Sequence, residues 1–595
     1  MQVIILAAGI GKRLQPITND VPKVMVKVGG KEIIIHQLEL VSKLDDVSEI
    51  IIVVGYKKEL VKRLIGNKFN GIKIRYVENI KYKSTNNNYS LFLALRYVKE
   101  AILLLEGDVL FKEELLKKIT RGDRNIVFVE KFKSYMDGSV VEIDKSSAVI
   151  KQLIQKKDQG ENFNYENFYK TVNIYYFTKK FVKKTYYPSL KVYINSYGKK
   201  DYYELVIGSL IYLNVCKLYA EVLKEPMLWL EIDDVVDLTF AEYFFLKKDL
   251  SFIEEKYGGY WDFDFIDYCY LYNLYFPSSK LIKEIVRDAK VLINAYPSGQ
   301  KYLKLLISSF FDFKINTQNI FIGNGASELI KIINKTLIDS VTIISPNFGE
   351  YFDLNKKIIS EFKLKESEEF KIDFDKLILQ ARKTSFLVLT NPNNPTGKAI
   401  SRREVIFLLN SLKELKGIIL DESFIDFSNQ KSCMDLVEKY KNLIYIKSIS
   451  KSYGVAGLRL GFLYTQNELV KKTLITHLPI WNINSFAEKF LEKFSKYKNE
   501  FISSLSLIKA DRKKLGRQLN KINNLKAYSS EANYILCKIK KKNMNAKELS
   551  QRLFINDKIF IKDLSNKMGD AFFRITVRTN EDNRKLIASL KKYLS

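Results

Sequence analysis

Short apolar runs separated by longer amphipathic stretches set the pattern of the first 245 or so residues. Gln2 to Leu6, Ile50 to Val54 and Ala101 to Leu105 are each of strand length, and their alternation with helical stretches predicts a parallel α/β sheet. From about Lys247 to Asp267 charged and aromatic residues crowd around Gly258-Gly259, which is linker composition. A second α/β pattern starts at about Tyr268, with strands predicted at Val341 to Ser345, Phe386 to Thr390, Gly417 to Leu420 and Leu443 to Ile446. The last hundred or so residues, from about 480, form a smaller α+β segment that ends in a strand at Phe572 to Val577 and a helix. No internal repeat is visible. At roughly 100 to 200 residues per domain, 595 residues are too many for one core.

Composition narrows the class. Lys and Arg number 97 against 68 Asp and Glu, a formal charge of +29, with 47% hydrophobic and 28% charged residues. That balance excludes disordered, collagen-like and coiled-coil chains and predicts a soluble globular protein. The longest apolar runs, such as Val3 to Ile10, are strand-sized, too short to span a bilayer, and no basic region precedes them as a signal peptide requires. Cys216, Cys269, Cys433 and Cys537 lie far apart with no C-x-x-C, as expected of reduced cytoplasmic thiols without a zinc knuckle. Only His36 and His477 are present, so chemistry that needs a histidine cluster is poorly supported. The lysines are spread along the chain and no RRM, zinc-finger or KH signature appears. Anionic small substrates, rather than nucleic acid or membrane, are the expected partners.

The first strand runs into Leu6-Ala7-Ala8-Gly9-Ile10-Gly11-Lys12-Arg13-Leu14-Gln15-Pro16-Ile17-Thr18, followed by Val21-Pro22-Lys23. Glycines at 9 and 11 allow a tight turn that brings N–H groups onto an anion, and Arg13 and Lys23 can neutralise a triphosphate. This pattern resembles the nucleotidyltransferases that couple an NTP to a phosphorylated metabolite. Gly55-Tyr56, Asn86-Asn87-Asn88-Tyr89-Ser90-Leu91, Gly107-Asp108 and Glu231-Ile232-Asp233-Asp234 resemble its phosphocholine cytidylyltransferase branch. The resemblance implies a Rossmann-like domain over residues 1–247. In it Ala8, Gly9, Gly11, Arg13, Lys23, Asn86, Asn87 and Ser90 lie at the nucleotide or acceptor site, and Asp108 with Asp233 or Asp234 binds Mg²⁺. Trp229 and the tyrosines are either a cation–π surface for an amine or core.

In the second half, Gly323-Asn324-Gly325-Ala326-Ser327-Glu328 suits phosphate capture at a helix start. Asn391-Pro392-Asn393-Asn394-Pro395-Thr396-Gly397, Asp421-Glu422-Ser423-Phe424 and Ser448-Ile449-Ser450-Lys451 each follow an apolar strand, and Arg459 lies in Gly457-Leu458-Arg459-Leu460-Gly461. All fall at strand ends, as one shared pocket requires. The set resembles fold-type I pyridoxal-phosphate enzymes of the histidinol-phosphate aminotransferase and threonine-phosphate decarboxylase group, over residues 268–595. The resemblance implies a large α/β and a small α+β domain and a homodimer. Lys451 then binds the cofactor covalently, Asp421 its pyridine nitrogen, Asn394 its O3′, and Phe348 stacks on the ring. Ala326, Ser327, Ser448 and Arg459 take its phosphate, with Tyr296 reaching over from the partner, and Arg574 grips the substrate α-carboxylate.

Phe424 stands where the aminotransferase pattern has a tyrosine, and Arg578 stands where it has a glycine. On a strand, positions four apart face the same side, so Arg574 and Arg578 together suit a substrate with both a carboxylate and a phosphate. The expected whole is a bifunctional enzyme that decarboxylates O-phosphoserine to phosphoethanolamine and couples this to CTP. Two alternatives stay open: an aminotransferase in the second half, or a binding protein with dead catalytic domains. The intact Lys451, Asp421, Asp108 and Lys23 speak against the latter.

Overall fold

In a computed structural model the chain divides into two compact units, Met1–Asp264 and Phe265–Ser595. The structure describes residues 1–119, 122–133, 136–161, 163–223, 229–242, 250–261, 263, 265–312, 314–354 and 358–595. Among them no helix is long and apolar enough to cross a membrane. The boundary expected at 247–248 lies outside the described residues. The stretch read as linker holds a helix, Leu250–Lys256, and a strand, Ile266–Asp267, which pairs with Ile559–Phe560 inside the C-terminal unit.

The N-terminal unit is built on a sheet of ten strands. At its centre Gln2–Ala7 lies parallel to Glu49–Val54 and Ile102–Glu106, and Glu49–Val54 is parallel to Ile72–Glu78. Side chains alternate between two cores: Val3, Ile5, Ile50, Ile52, Leu103 and Leu105 enter one, and Ile4, Leu6, Ile51, Val53 and Leu104 the other. Burial on both faces is why these runs read as continuously apolar. Each such side chain contributes about 1.5–3 kcal/mol of burial energy. The sheet is mixed, however, and not parallel throughout as expected. Phe168–Phe177 pairs antiparallel with Ile102–Glu106, and the hairpin of Val140–Ile143 with Ile150–Ile154 extends it. These later strands interleave polar and apolar residues, and the apolar-run criterion passes over them.

The C-terminal unit holds a seven-stranded sheet in the order Ile320–Asn324, Leu460–Thr465, Leu443–Ser448, Gly417–Asp421, Phe386–Thr390, Ser340–Ser345, Ile358–Lys363. Leu460–Thr465 runs antiparallel to both neighbours and the other pairings are parallel. Its two faces feed two cores, and a four-stranded antiparallel sheet of Leu525–Ala527, Tyr534–Ile539, Phe572–Thr576 and Lys562–Asp563 packs a third. This is the large α/β plus small α+β arrangement expected.

One glycine pins the turn after Lys451. Gly454 has φ +64°, and a Cβ there would stand 1.8 Å from Phe276 O and 2.5 Å from Asn273 O. Gly454→Ala is expected to destabilise the C-terminal unit by more than about 1 kcal/mol, because strained conformation and collision add. Calorimetry checks this, and an unshifted melting transition contradicts it.

Candidate active sites

In the N-terminal unit the turn after Gln2–Ala7 is possible because Gly11 adopts φ +73°. A Cβ there would press on Lys23 Cβ at 3.0 Å and Thr18 Cγ2 at 3.1 Å, so the glycine lets the Lys23 segment close onto the loop. Lys23 Nζ donates to Asp108 Oδ2 and, at 2.7 Å, to Asp233 Oδ1; Arg13 reaches the same Asp233 oxygen at 2.8 Å. Burial alone lowers a lysine's pKa, but the two carboxylates outweigh it and hold Lys23 well above its ordinary value. Burial likewise raises Asp233, and Lys23 and Arg13 bring it below the usual range.

Asp233 and Asp234 have separate roles. Asp234 is the N-cap of the helix Val235–Phe240, accepting from Val236 N and Asp237 N, with Asp237 reciprocating in a capping box. That leaves Asp233 facing Lys23. Two residues earlier on the same side of the chain comes Glu231, and Asp108, Glu231 and Asp233 bring ligand oxygens within 4.8 Å of one another. Asp108 Oδ1 is buried without a partner. This oxygen-rich set fits a hard divalent cation such as Mg²⁺. Glu231 had been assigned no role, although its spacing from Asp233 was the signal. Burial and the neighbouring Asp108 and Asp233 push its pKa up to about 7 against the pull of Lys170.

These groups open on a cavity of about 390 Å³, also lined by Ala8, Gly9, Asn86, Asn87 and Ser90. Gly11 does not line it and acts through the turn. Asn86 caps the helix Asn87–Leu95, Asn87 Nδ2 donates to Glu106 Oε1 at 2.9 Å, and Ser90 Oγ accepts from Asn79 at 3.0 Å. Their polar atoms are thus partly engaged in shaping the wall. Trp229 does not line the cavity. Its indole N–H donates to Glu130 at 2.7 Å and its ring faces Lys170 at 5.7 Å, so its cation–π surface is occupied by the protein's own ammonium.

In the C-terminal unit Lys451 is partly buried near the end of the helical turn Ile449–Ser452 that follows Leu443–Ser448. Burial, then the like charges of Arg459 and Arg574, push its pKa down to about 8, and Asp421 opposes them only weakly. Asp421 ends the adjacent strand, where it accepts from Ser423 N at 2.9 Å, Ser423 Oγ at 2.5 Å and Tyr351 OH at 2.9 Å. Its burial raises its pKa above the usual range. Tyr351 had been assigned no role of its own; only the fold brings its hydroxyl to Asp421.

Arg459 donates to Ser327 Oγ at 3.2 Å beside the start of the helix Ala326–Thr336. Gly461 is obligatory there, because its Cβ would stand 2.4 Å from Ala326 N. Ser448 N donates to Ser423 Oγ at 2.9 Å, joining two strand ends. Arg574 bonds Asn394 Oδ1 and Cys269 O, both at 2.7 Å, while its Nε is buried and unpaired. Phe348 is partly exposed. Tyr296 is 77% exposed and stacks on Trp481 at 4.4 Å. A partly buried lysine of lowered pKa, a buried carboxylate, a helix start backed by an arginine and an arginine with a spare donor together fit pyridoxal phosphate.

Arg578 departs from the expectation. The strand stops at Thr576, because Thr579 caps the helix Asn580–Leu594 and the chain turns to reach it. The Arg578 guanidinium pairs with Asp582 at 3.0 Å and donates to Asp267 O at 2.9 Å. The one-face argument with Arg574 therefore does not apply. Lys567 was overlooked. Its ammonium donates to Asn347 O at 3.2 Å, next to Phe348, and feels the charge of Arg574. Phe424 is buried edge-on against Tyr534, whose hydroxyl donates to Asn393 O at 2.8 Å.

Residues 265–590 match the aminotransferase class I and II family and residues 2–197 the nucleotidyl transferase family. The chain belongs to the aminotransferase class I and II family and carries an N-terminal nucleotidyl transferase domain. It is similar from end to end to the CMP-5'-(3-aminopropyl)phosphonate synthase of Streptomyces rubellomurinus, 27% identical over 99% of this chain and 94% of that protein. The L-serine phosphate decarboxylase of Sulfurospirillum multivorans is 29% identical over 55% of this chain and 88% of its own length. The crystal structure of the histidinol-phosphate aminotransferase from Clostridium acetobutylicum superposes with a TM-score of 0.50 at 29% identity, covering 55% of this chain and 98% of that one.

The pKa of Lys451 gives a pH test. Only the neutral amine attacks a carbonyl, so capture of pyridoxal phosphate by cofactor-free protein should speed up as pH rises through about 8 and level off above it. A rate that keeps rising toward the ordinary lysine range contradicts the lowered value. Absorbance in the visible follows the capture.

Proposed function

We propose that the chain is a bifunctional enzyme. Its C-terminal unit decarboxylates an α-amino acid bearing a terminal phosphate or phosphonate, O-phosphoserine first among them. Its N-terminal unit transfers CMP from CTP to a phosphorus oxygen of the resulting amine, giving CDP-ethanolamine and pyrophosphate when that amine is phosphoethanolamine. The reading is carried by one observation: the two domains follow each other in the order they have in a CMP-aminoalkylphosphonate synthase, over almost the whole of both chains.

In this reading Lys451 holds the cofactor's carbonyl carbon, Asp421 keeps the pyridine nitrogen protonated, and Asn394 donates to O3′. Ala326 N, Ser327, Ser448 and Arg459 bind the phosphate, and Phe348 covers the ring. Tyr296 completes the phosphate site of a partner, which makes the working form a homodimer. When bound, pyridoxal phosphate supplies the sink for the electrons that the departing carboxylate leaves on Cα. The spare Nε of Arg574 anchors the α-carboxylate, and Lys567 offers the terminal phosphate a cation. Lys451 would return a proton to Cα after carbon dioxide leaves. In the N-terminal unit Arg13 and Lys23 neutralise the triphosphate. Asp108 and Asp233, with Glu231, would hold the Mg²⁺ that offsets charge on the leaving pyrophosphate.

The similarity to histidinol-phosphate aminotransferases favours a second reading, in which Lys451 takes the proton from Cα and an amino group is exchanged. Product analysis separates the two. Carbon dioxide and phosphoethanolamine from O-phosphoserine, with no keto acid needed, are expected; amino exchange with 2-oxoglutarate and no carbon dioxide overturns the decarboxylase. Asp108→Ala should abolish pyrophosphate release from CTP and acceptor while leaving the bound-cofactor absorbance unchanged, and release that survives it contradicts the N-terminal assignment. Lys567→Ala should raise the KM for phosphoserine about tenfold or more, as loss of one charge-assisted contact of roughly 1.5–3 kcal/mol predicts.

A further inference from the structure

One wall of the N-terminal cavity carries polar groups to which the proposed nucleotide site assigns no role. Glu204, in the first turn of the helix Tyr203–Tyr212, is 7% exposed and lines the cavity. Its Oε1 accepts from Tyr175 OH and, at 3.1 Å, from Thr171 Oγ1, and its Oε2 accepts from Ser139 Oγ. A carboxylate has about four acceptor positions, so three hydroxyl donors leave one open. No lysine or arginine among the described residues pairs with it. Lys170, the nearest buried ammonium in sequence to these hydroxyls, is committed to Thr171 O at 2.6 Å and Glu231 at 3.4 Å.

A second, independent observation lies beside it. Gln155 follows the strand Ile150–Ile154, and the hairpin register Val140↔Ile154 sets it opposite Ser139, the donor to Glu204. Gln155 is 4% exposed and lines the same cavity, yet neither its Oε1 nor its Nε2 has a partner. A buried amide left unpaired costs free energy that a ligand recovers.

Building on the cytidylyl-transfer reading, we infer that the acceptor's amine enters this cavity as a primary ammonium and is held by the Glu204 carboxylate and the Gln155 amide oxygen. An ammonium brings N–H donors to the open acceptor position of Glu204 and to Gln155 Oε1, and a positive charge to a carboxylate that no lysine or arginine among the described residues pairs with. The chemistry selects against a quaternary ammonium. Such a group has no N–H to give, so it would leave the open position of Glu204 and the Gln155 amide oxygen without a donor.

The test uses the full chain with CTP and Mg²⁺ and follows pyrophosphate release with phosphoethanolamine, phosphocholine and ethyl phosphate. Phosphoethanolamine is expected to exceed the other two by about 30-fold or more in kcat/KM, the scale of a lost buried charge partner. Glu204→Gln and Gln155→Leu should raise the KM for phosphoethanolamine while leaving the KM for CTP unchanged. Equal use of phosphocholine or ethyl phosphate by the wild type overturns the subsite, as does a loss in either variant shared equally by CTP. If Glu204→Gln does not fold, the wild-type panel and Gln155→Leu decide. If no acceptor releases pyrophosphate, the transfer reading fails by itself. Calorimetric binding of phosphoethanolamine then decides the subsite: binding to the wild type that Gln155→Leu weakens upholds it, and absence of binding removes it.

Discussion

Taking a lysine ammonium out of water is the constraint around which both units are arranged. A buried cation must find a counter-charge or give up its proton, and the two sites show the two outcomes. Lys23 lies between Asp108 and Asp233 and keeps its charge. Lys451 lies among Arg459 and Arg574 with only Asp421 to offset them, and its pKa is pushed down to about 8. The first arrangement suits an electrostatic clamp for phosphates and the second suits a nucleophile. The same side chain is given different work by the number of carboxylates the fold places beside it.

That placement depends on a few backbone devices. Parallel strands deliver Asp108 and Asp421 to the carboxyl edge of their sheets, where the chain must turn and the backbone leaves room for a ligand. Gly11, Gly454 and Gly461 permit approaches that a Cβ would block. The capping box at Asp234 fixes the start of a helix and so orients Asp233 inward. None of these residues needs to touch a substrate, but each sets where a charge stands to within the ångström that electrostatics requires.

How far the sequence was legible follows from the same distinction. Apolar runs and strand-end motifs are local signals, so the central strands and the positions of Lys451, Asp421, Asp108 and Lys23 could be read in advance. The antiparallel strands around Phe168–Phe177 could not, since polar and apolar residues interleave there. Arg578 shows the limit of a periodicity argument: a strand ends where the next helix needs its cap, and with Thr579 as that cap the strand stops at Thr576, two positions short of Arg578. Glu204, Gln155, Tyr351 and Lys567 belong to no motif. Each joins a site only when strands and helices distant in sequence within its own unit are brought together: Gln155 is marked by unmet hydrogen bonds and Tyr351 by the one it donates to Asp421.

Charge also orders the two proposed reactions. An α-amino acid with a terminal phosphate carries a carboxylate on the carbon that bears its ammonium. Were it to enter the N-terminal cavity, that carboxylate would be forced against Glu204, and like charges in a buried site repel strongly. In the proposed reading the unpaired Nε of Arg574 in the other unit takes that same carboxylate. Decarboxylation removes the group that the first site requires and the second rejects, and it leaves the ammonium and the phosphorus oxygens untouched. The amine therefore leaves one unit having lost the charge that barred it from the other. The cytidylyl group is then spent on the product and not on the amino acid, with no need for a contact between the two sites.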